Sequence, residues 1–419
     1  MSELTAHSRR RFLRWAAGGL LAGGVSAAAA GREDDAGSGP PDPVLWAPRS
    51  NARPIASPQE ALDVFDLEPV AHAKVPPAHF GYMASGIDDE VTLRANREGF
   101  GKFQIWPRRL RDVSSVDLRM TLFGESYATP IILGPVGGLR AYHPDAEPGT
   151  ARAAKAGDHL MILSTMSSVA VEDVQRARGR PLWFQLYPTN DPEVARRLVQ
   201  RAERAGCTAV AVTVDRSGGR NQETFFRMRR LDPRACAACH TTAAGPAMVN
   251  GREQPMFADI DLSRLQSVQA SALTWERLKR IRDATKMRCV VKGLLSPEDA
   301  RLAAEAGYDA IVVSNHGGRA DESGLSAIEA LPAIVQAVGG RMPVLVDSGF
   351  RRGTDIVKAL AMGAAGVAIG RPYLWGLGAF GQAGVERALE LLRIELRAAM
   401  QQAGAKDLKA LSPALVRHV

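Results

Sequence analysis

The feature that most narrows the fold of this chain is a repeated unit. A short, continuously apolar run is followed by a loop and then by a helical stretch with one apolar face. Eight such runs lie at 130–134, 160–164, 182–187, 209–215, 289–292, 310–314, 344–347 and 366–370. Their residues are apolar without alternation, the pattern of parallel strands covered on both faces. Helical stretches fall between them at 192–205, 275–285, 297–306, 325–338 and 354–362. Eight strands alternating with helices predict an α/β chain closed into a (β/α)8 barrel. A doubly wound sheet would carry a G-x-G-x-x-G turn after its first strand, and none follows residue 134.

The polar residues then fall at one end. Read off the C-terminal ends of the runs, they are Ser164, Gln185 with Tyr187, Thr213 with Asp215, Lys292, Ser314 with His316, Asp347, and Gly370 with Arg371. A barrel of this kind builds its active site there. Any one of these could be an ordinary loop residue. Lys, His, Asp, Tyr and several Arg gathered on one rim predict chemistry.

Composition adds exclusions. With 46% hydrophobic and 23% charged residues, a packed core is expected. Four cysteines in 419 residues exclude a disulfide-built scaffold, and Cys207 and Cys289 read as buried core thiols. The net charge of +8 is inflated by Arg9, Arg10, Arg11 and Arg14, and no dense basic tract follows, so nucleic acid is not an expected partner.

Those arginines belong to Ser8-Arg9-Arg10-Arg11-Phe12-Leu13-Arg14, ahead of a short apolar run and Ala27-Ala28-Ala29. Charged start, weak apolar stretch and small-residue end make a signal peptide over 1–30. It resembles the twin-arginine (Tat) export signal, with Arg14 in place of Lys, and implies a periplasmic protein; a membrane anchor is the alternative reading. A Gly-, Pro- and Asp-rich linker is expected over 31–57 and the barrel over 58–419, with an inserted loop at 216–273.

Ser314-Asn315-His316-Gly317-Gly318-Arg319, then Asp347-Ser348-Gly349-Phe350-Arg351-Arg352-Gly353-Thr354-Asp355 and Gly370-Arg371-Pro372, resemble the FMN-dependent α-hydroxy acid dehydrogenase/oxidase family. The likeness runs from Tyr82-Met83-Ala84-Ser85-Gly86 to the last helix. It implies an FMN enzyme that oxidises an L-2-hydroxy acid, lactate-like, to the 2-oxo acid. It assigns His316 as base, Asp215 as the group stabilising its imidazolium, Arg319 as carboxylate anchor, and Tyr82 and Tyr187 as substrate contacts. The chemistry agrees, since a guanidinium pairs bidentately with a carboxylate and a base must reach the same small molecule. For FMN the resemblance implies Lys292 beside the ring, hydrogen bonds from Ser164, Gln185, Thr213 and Ser314, and backbone at Gly137. The phosphate falls to Asp347, Gly349, Arg351, Gly370 and Arg371. One departure stands out: the second carboxylate-binding arginine expected after strand four has only Arg220, out of register, to match it.

The inserted loop carries Cys236-Ala237-Ala238-Cys239-His240, the attachment pattern of haem c. A covalent haem is the expectation, with Met248 or Met256 as distal ligand; a disulfide, a zinc site or a relic are the alternatives. Electrons would then pass to a cytochrome c or a quinone. An oxidase that reduces O₂ to peroxide is the first rival, and a non-catalytic haem- or metal-binding barrel the second. A homo-oligomer is expected.

Overall fold

In the computed structural model, residues 54–234 and 254–419 are described. Eight parallel strands, Ile131–Leu133, Ile162–Ser164, Trp183–Leu186, Ala209–Thr213, Arg288–Leu294, Ala310–Val313, Val344–Val346 and Gly366–Ile369, pair in sequence order, with the last beside the first. A parallel bridge between Leu133 and Met161 and the hydrogen bond from Leu133 N to Leu160 O (2.9 Å) close the ring. The fold is thus the (β/α)8 barrel expected; seven strands lie within the runs that predicted them, and Arg288–Leu294 overruns 289–292 at both ends.

Continuous apolarity has the cause inferred for it. One face of the strands fills the barrel with Ile132, Ile162, Trp183, Ala211, Val290, Val312, Leu345 and Ala368. The other face, including Leu163, Phe184, Val212, Val291, Ile311 and Val346, packs on the surrounding helices. Phe184 is fully buried, so truncating it to alanine costs about 3–5 kcal/mol. Capping side chains start the helices where the sequence supplies them: Asp191 accepts from Glu193 N, Ser296 from Glu298 N and Asp299 N, and Ser326 from Glu329 N. Cys207 and Cys289 are buried core thiols, as expected.

A hairpin and three helices were not foreseen. A hairpin of Met120–Leu122 and Glu125–Tyr127 sends Met120, Leu122 and Tyr127 into the core cluster inside the barrel. The helix Pro77–Ala84 presents Tyr82, and the helix Val91–Glu98 packs beneath the loop that bears His316. A third helix, Glu223–Arg229, lies within the insertion and docks on Pro77–Ala84, with Phe225 edge-on to Tyr82 at 5.7 Å. Among the described residues no helix is long and apolar enough to cross a membrane.

Candidate active site

A cleft opens at the C-terminal ends of the strands. Tyr82, Gly137, Tyr187, Lys292, His316, Arg319, Asp347, Gly349, Arg351, Gly370 and Arg371 line it, so most of the residues singled out in the sequence converge there.

The loop after the sixth strand holds His316 in an unusual backbone state. His316, Gly317 and Gly318 all take positive φ (59°, 70° and 76°). Glycine is required at 318, where a Cβ would stand 2.5 Å from the Leu93 Cα. Asn315 anchors the turn through a reciprocal pair of 2.8 Å hydrogen bonds with Asn96, and its Oδ1 also accepts from Gly318 N. The imidazole is thereby aimed: Nδ1 lies 2.8 Å from Asp215 Oδ1 and Nε2 lies 3.2 Å from the Tyr187 hydroxyl. A carboxylate only accepts, so Nδ1 carries the proton and Nε2 is the basic nitrogen.

Electrostatics reinforce that assignment. Burial, with Arg216 and Lys292 close by, pushes the His316 imidazole down to about 4 despite the Asp215 carboxylate, so it is neutral near pH 7. Burial acts to raise Asp215, but His316, Lys292 and Arg216 hold it below the usual carboxylate value. Asp215 fits because Gly293, at φ +110° in a strand irregularity between Lys292 and Leu294, has no side chain: a Cβ there would sit 2.7 Å from the Asp215 Cβ.

Arg319 is held rigidly. Its Nη1 donates to Tyr82 O, Ser85 O and Ser85 Oγ at 2.5, 2.8 and 3.1 Å, and the guanidinium lies 4.6 Å from the Tyr82 ring centroid. Burial works against it, yet Arg319 and Arg216 draw the Tyr82 phenol below its ordinary value.

Arg220, the expected second arginine, is not among the residues lining the cleft; Arg216 is. Arg216 follows Asp215 directly, is only 6% exposed, donates to the Arg319 carbonyl at 3.3 Å, and keeps a buried Nε with no hydrogen-bond partner. Gln222, two residues beyond Arg220, is buried and donates to Ser85 Oγ at 3.1 Å. Nothing in the motif spacing marked Arg216. The signal available was a cation beside a carboxylate at a strand end.

Beneath the cleft, buried polar groups link neighbouring strands: Ser164 Oγ to Gln185 Oε1 (3.2 Å), Gln185 Nε2 to Thr213 Oγ1 (2.9 Å), and Lys292 Nζ to Ser314 Oγ (2.8 Å). Lys292 also meets Asp347 Oδ2 at 2.9 Å. Burial alone would lower its pKa, but Asp347 and Asp215 hold the ammonium above its usual value. Of these groups only Lys292 and Asp347 reach the lining itself.

At the other end, Arg351 is 4% exposed and its Nε is buried without a partner. It lies beside Gly349 and the start of the helix Gly353–Ala361, while Gly370 begins the helix Arg371–Ala403. A buried guanidinium with an unmet donor at two helix N-termini is suited to a phosphate. Arg371 is more committed: it donates to Met83, Gly317, Ala84 and Ser85 carbonyls at 2.9–3.3 Å, tying the Tyr82 segment to the His316 loop. Between the two ends, Gly134-Pro135-Val136-Gly137 lines one wall. A planar ring with a phosphate tail fits these residues: a Gly-Pro-Val-Gly strip along one wall, a buried lysine, and an arginine with an unmet donor.

Cys236, Cys239, His240 and Met248 lie outside the described residues, as does the 1–30 segment. Met256, the other expected distal ligand, is described. It is 0% exposed in the turn Pro255–Phe257, packed into the apolar core. Among the described residues no cluster of His, Cys, Asp or Glu could hold a metal ion.

Barrel, rim and base together define a flavin-type oxidoreductase. Residues 71–418 match the family model described as FMN-dependent dehydrogenase, and the chain belongs to that family. It is 39% identical to an L-lactate oxidase of Lysinibacillus sphaericus (83% of this chain, 90% of that protein) and 37% identical to glycolate oxidase 3 of Arabidopsis thaliana (84% and 95%). Among solved structures it is similar to a soluble mutant of the membrane-associated (S)-mandelate dehydrogenase from Pseudomonas putida, with a TM-score of 0.77 and 34% identity over 86% of this chain and 100% of that one. The family fixes the reaction class: FMN-dependent oxidation of a 2-hydroxy acid to the 2-oxo acid.

Proposed function

We propose that this chain oxidises a small (S)-2-hydroxy monocarboxylate, lactate-like, and passes the electrons to dioxygen. The observation that carries the reading is the His316 Nε2, held neutral and aimed into the cleft by Asp215 at 2.8 Å, with Arg319 on the same loop. Arg319 and Arg216 bind the substrate carboxylate, which leaves the 2-hydroxyl at Nε2 and Tyr187. His316 takes one proton, and Asp215 stabilises the imidazolium that results. Lys292, the 134–137 strip and Arg351 would hold FMN, which would supply the two-electron acceptor. Lys292 places a positive charge where the reduced cofactor gains negative charge. One carboxylate facing two arginines, with Asp215 nearby, favours a monocarboxylate over a dicarboxylate.

The choice of acceptor is supported by relatives named as oxidases, L-lactate oxidase and glycolate oxidase among them. A second reading, electron transfer to a cytochrome c or quinone through haem c, rests on Cys236-Ala237-Ala238-Cys239-His240 and on the Tat-like start that would place the chain in the periplasm. The test is anaerobic addition of L-lactate, glycolate or (S)-mandelate to the purified flavoprotein, followed by admission of O₂. Rapid flavin reduction with stoichiometric peroxide supports the oxidase. Slow reoxidation by O₂, fast reoxidation by cytochrome c and a covalent haem band in protein from a cytochrome c-maturing host would replace it with the second reading.

A further inference from the structure

The lysine at one end of the cleft and the base loop belong to a single closed ring of contacts. Lys292 Nζ donates to Ser314 Oγ (2.8 Å), which also accepts from His316 N (3.0 Å). From the other side, Lys292 meets Asp347 Oδ2 (2.9 Å), and Asp347 Oδ1 accepts from Ser348 Oγ (2.7 Å). Ser348 Oγ in turn accepts from Gly317 N (3.0 Å), one residue beyond His316. Ser348 closes the ring.

Its backbone makes the choice of residue informative. Ser348 takes φ +77°, beside Gly349 at +87°, in the region that favours glycine. A serine there is strained, and its side chain must offset that cost. Here the residue is 8% exposed, and its hydroxyl both donates and accepts in the ring. The ring links two groups with different tasks, since the proposed base and the cation beside the cofactor share one rigid frame.

We propose that Ser348 is a positioning residue, whose hydroxyl fixes the His316–Gly317 turn and the Asp347 carboxylate together and so sets both proton removal and the charge that Lys292 presents to the cofactor. This rests on the reading of His316 as base and Lys292 as the cofactor-facing cation. Freed from Ser348, Asp347 would neutralise Lys292 more fully and the flavin would become harder to reduce.

The experiment compares wild-type, Ser348→Gly and Ser348→Ala holoenzymes. Both substitutions delete the hydroxyl, but only glycine relaxes the backbone. Both should keep FMN, and both should lose roughly tenfold in the rate of anaerobic flavin reduction, about the effect of one charge-linked hydrogen bond. Oxalate affinity should stay within about twofold. The flavin midpoint potential should fall in both. The Gly apoprotein should melt at or above wild type, and the Ala apoprotein below it. A Gly variant with wild-type reduction rate and potential would overturn the proposal, because the turn alone would then suffice. So would a Gly variant that melts well below wild type or loses FMN, which would make Ser348 a structural residue. Should no 2-hydroxy acid reduce the wild type, the functional reading fails, while the potentials of the three proteins still decide whether Ser348 acts on the cofactor through Asp347 and Lys292.

Discussion

His316 and Asp215 are separated by 101 residues and belong to loops after different barrel strands, yet Nδ1 and Oδ1 meet at 2.8 Å. The contact depends on Gly293, whose missing side chain leaves the space that Asp215 occupies. Gly293→Ala should therefore act on a pair it does not belong to. At φ +110° alanine is also strained. Flavin reduction by substrate should fall roughly 10- to 100-fold with FMN retained, read by anaerobic stopped flow.

The pH profile follows from the neutral imidazole. A base must be unprotonated, and burial with two nearby cations puts the His316 imidazole at about 4. The acid limb of kcat/KM should thus lie near pH 4 instead of near the ordinary histidine value of about 6.5. In Asp215→Asn the carboxylate that favours the imidazolium is gone. The limb should move lower still, and the plateau should fall roughly 100-fold or more. An acid limb near 6.5 in the wild type would show that another group controls the rate.

Arg216 and Arg220 make a paired prediction. Arg216→Met removes a buried cation from the cleft and should weaken substrate and oxalate together by roughly 10- to 100-fold, the range for a charge-assisted hydrogen bond. Arg220→Met should leave both within about twofold. Equal effects would mean that the loop, not the strand end, supplies the second cation.

His159, distant in role from the cleft, governs stability. Buried, with Nδ1 bonded to Thr129 Oγ1 (2.9 Å) and Ile131 O (3.2 Å), its imidazole is pushed down to about 4. Between pH 6.5 and 4 the unfolded chain binds the proton that the folded chain refuses, so stability is lost as pH falls through that window. The contribution is about 3 kcal/mol. In His159→Gln, chemical denaturation across that range should show a visibly shallower slope of stability against pH.

Much of this was legible in the residues. The strands announced themselves because both faces are buried, and polar residues at their ends marked the rim before any geometry was known. The hairpin at 120–127 did not, because its strands mix buried with exposed residues and lack the continuously apolar run of the barrel strands. Arg216 was hidden for another reason. Whether a cation one residue past Asp215 faces the cleft or solvent depends on the strand-end geometry set by Gly293 across the neighbouring strand. The strain at Ser348 was equally invisible, since φ is a property of the folded loop, and an Asp-Ser-Gly sequence reads as an ordinary turn.

The central claim is that His316 removes the substrate proton in a site whose cofactor is held by other residues. Anaerobic mixing of L-lactate, glycolate or (S)-mandelate with wild-type and His316→Ala holoenzyme tests it directly. The account predicts rapid loss of oxidised-flavin absorbance in the wild type with at least one of the three acids. In the variant it predicts normal FMN content and oxalate binding, with reduction slowed by roughly 10²–10⁴-fold. Reduction of the variant at the wild-type rate would contradict it.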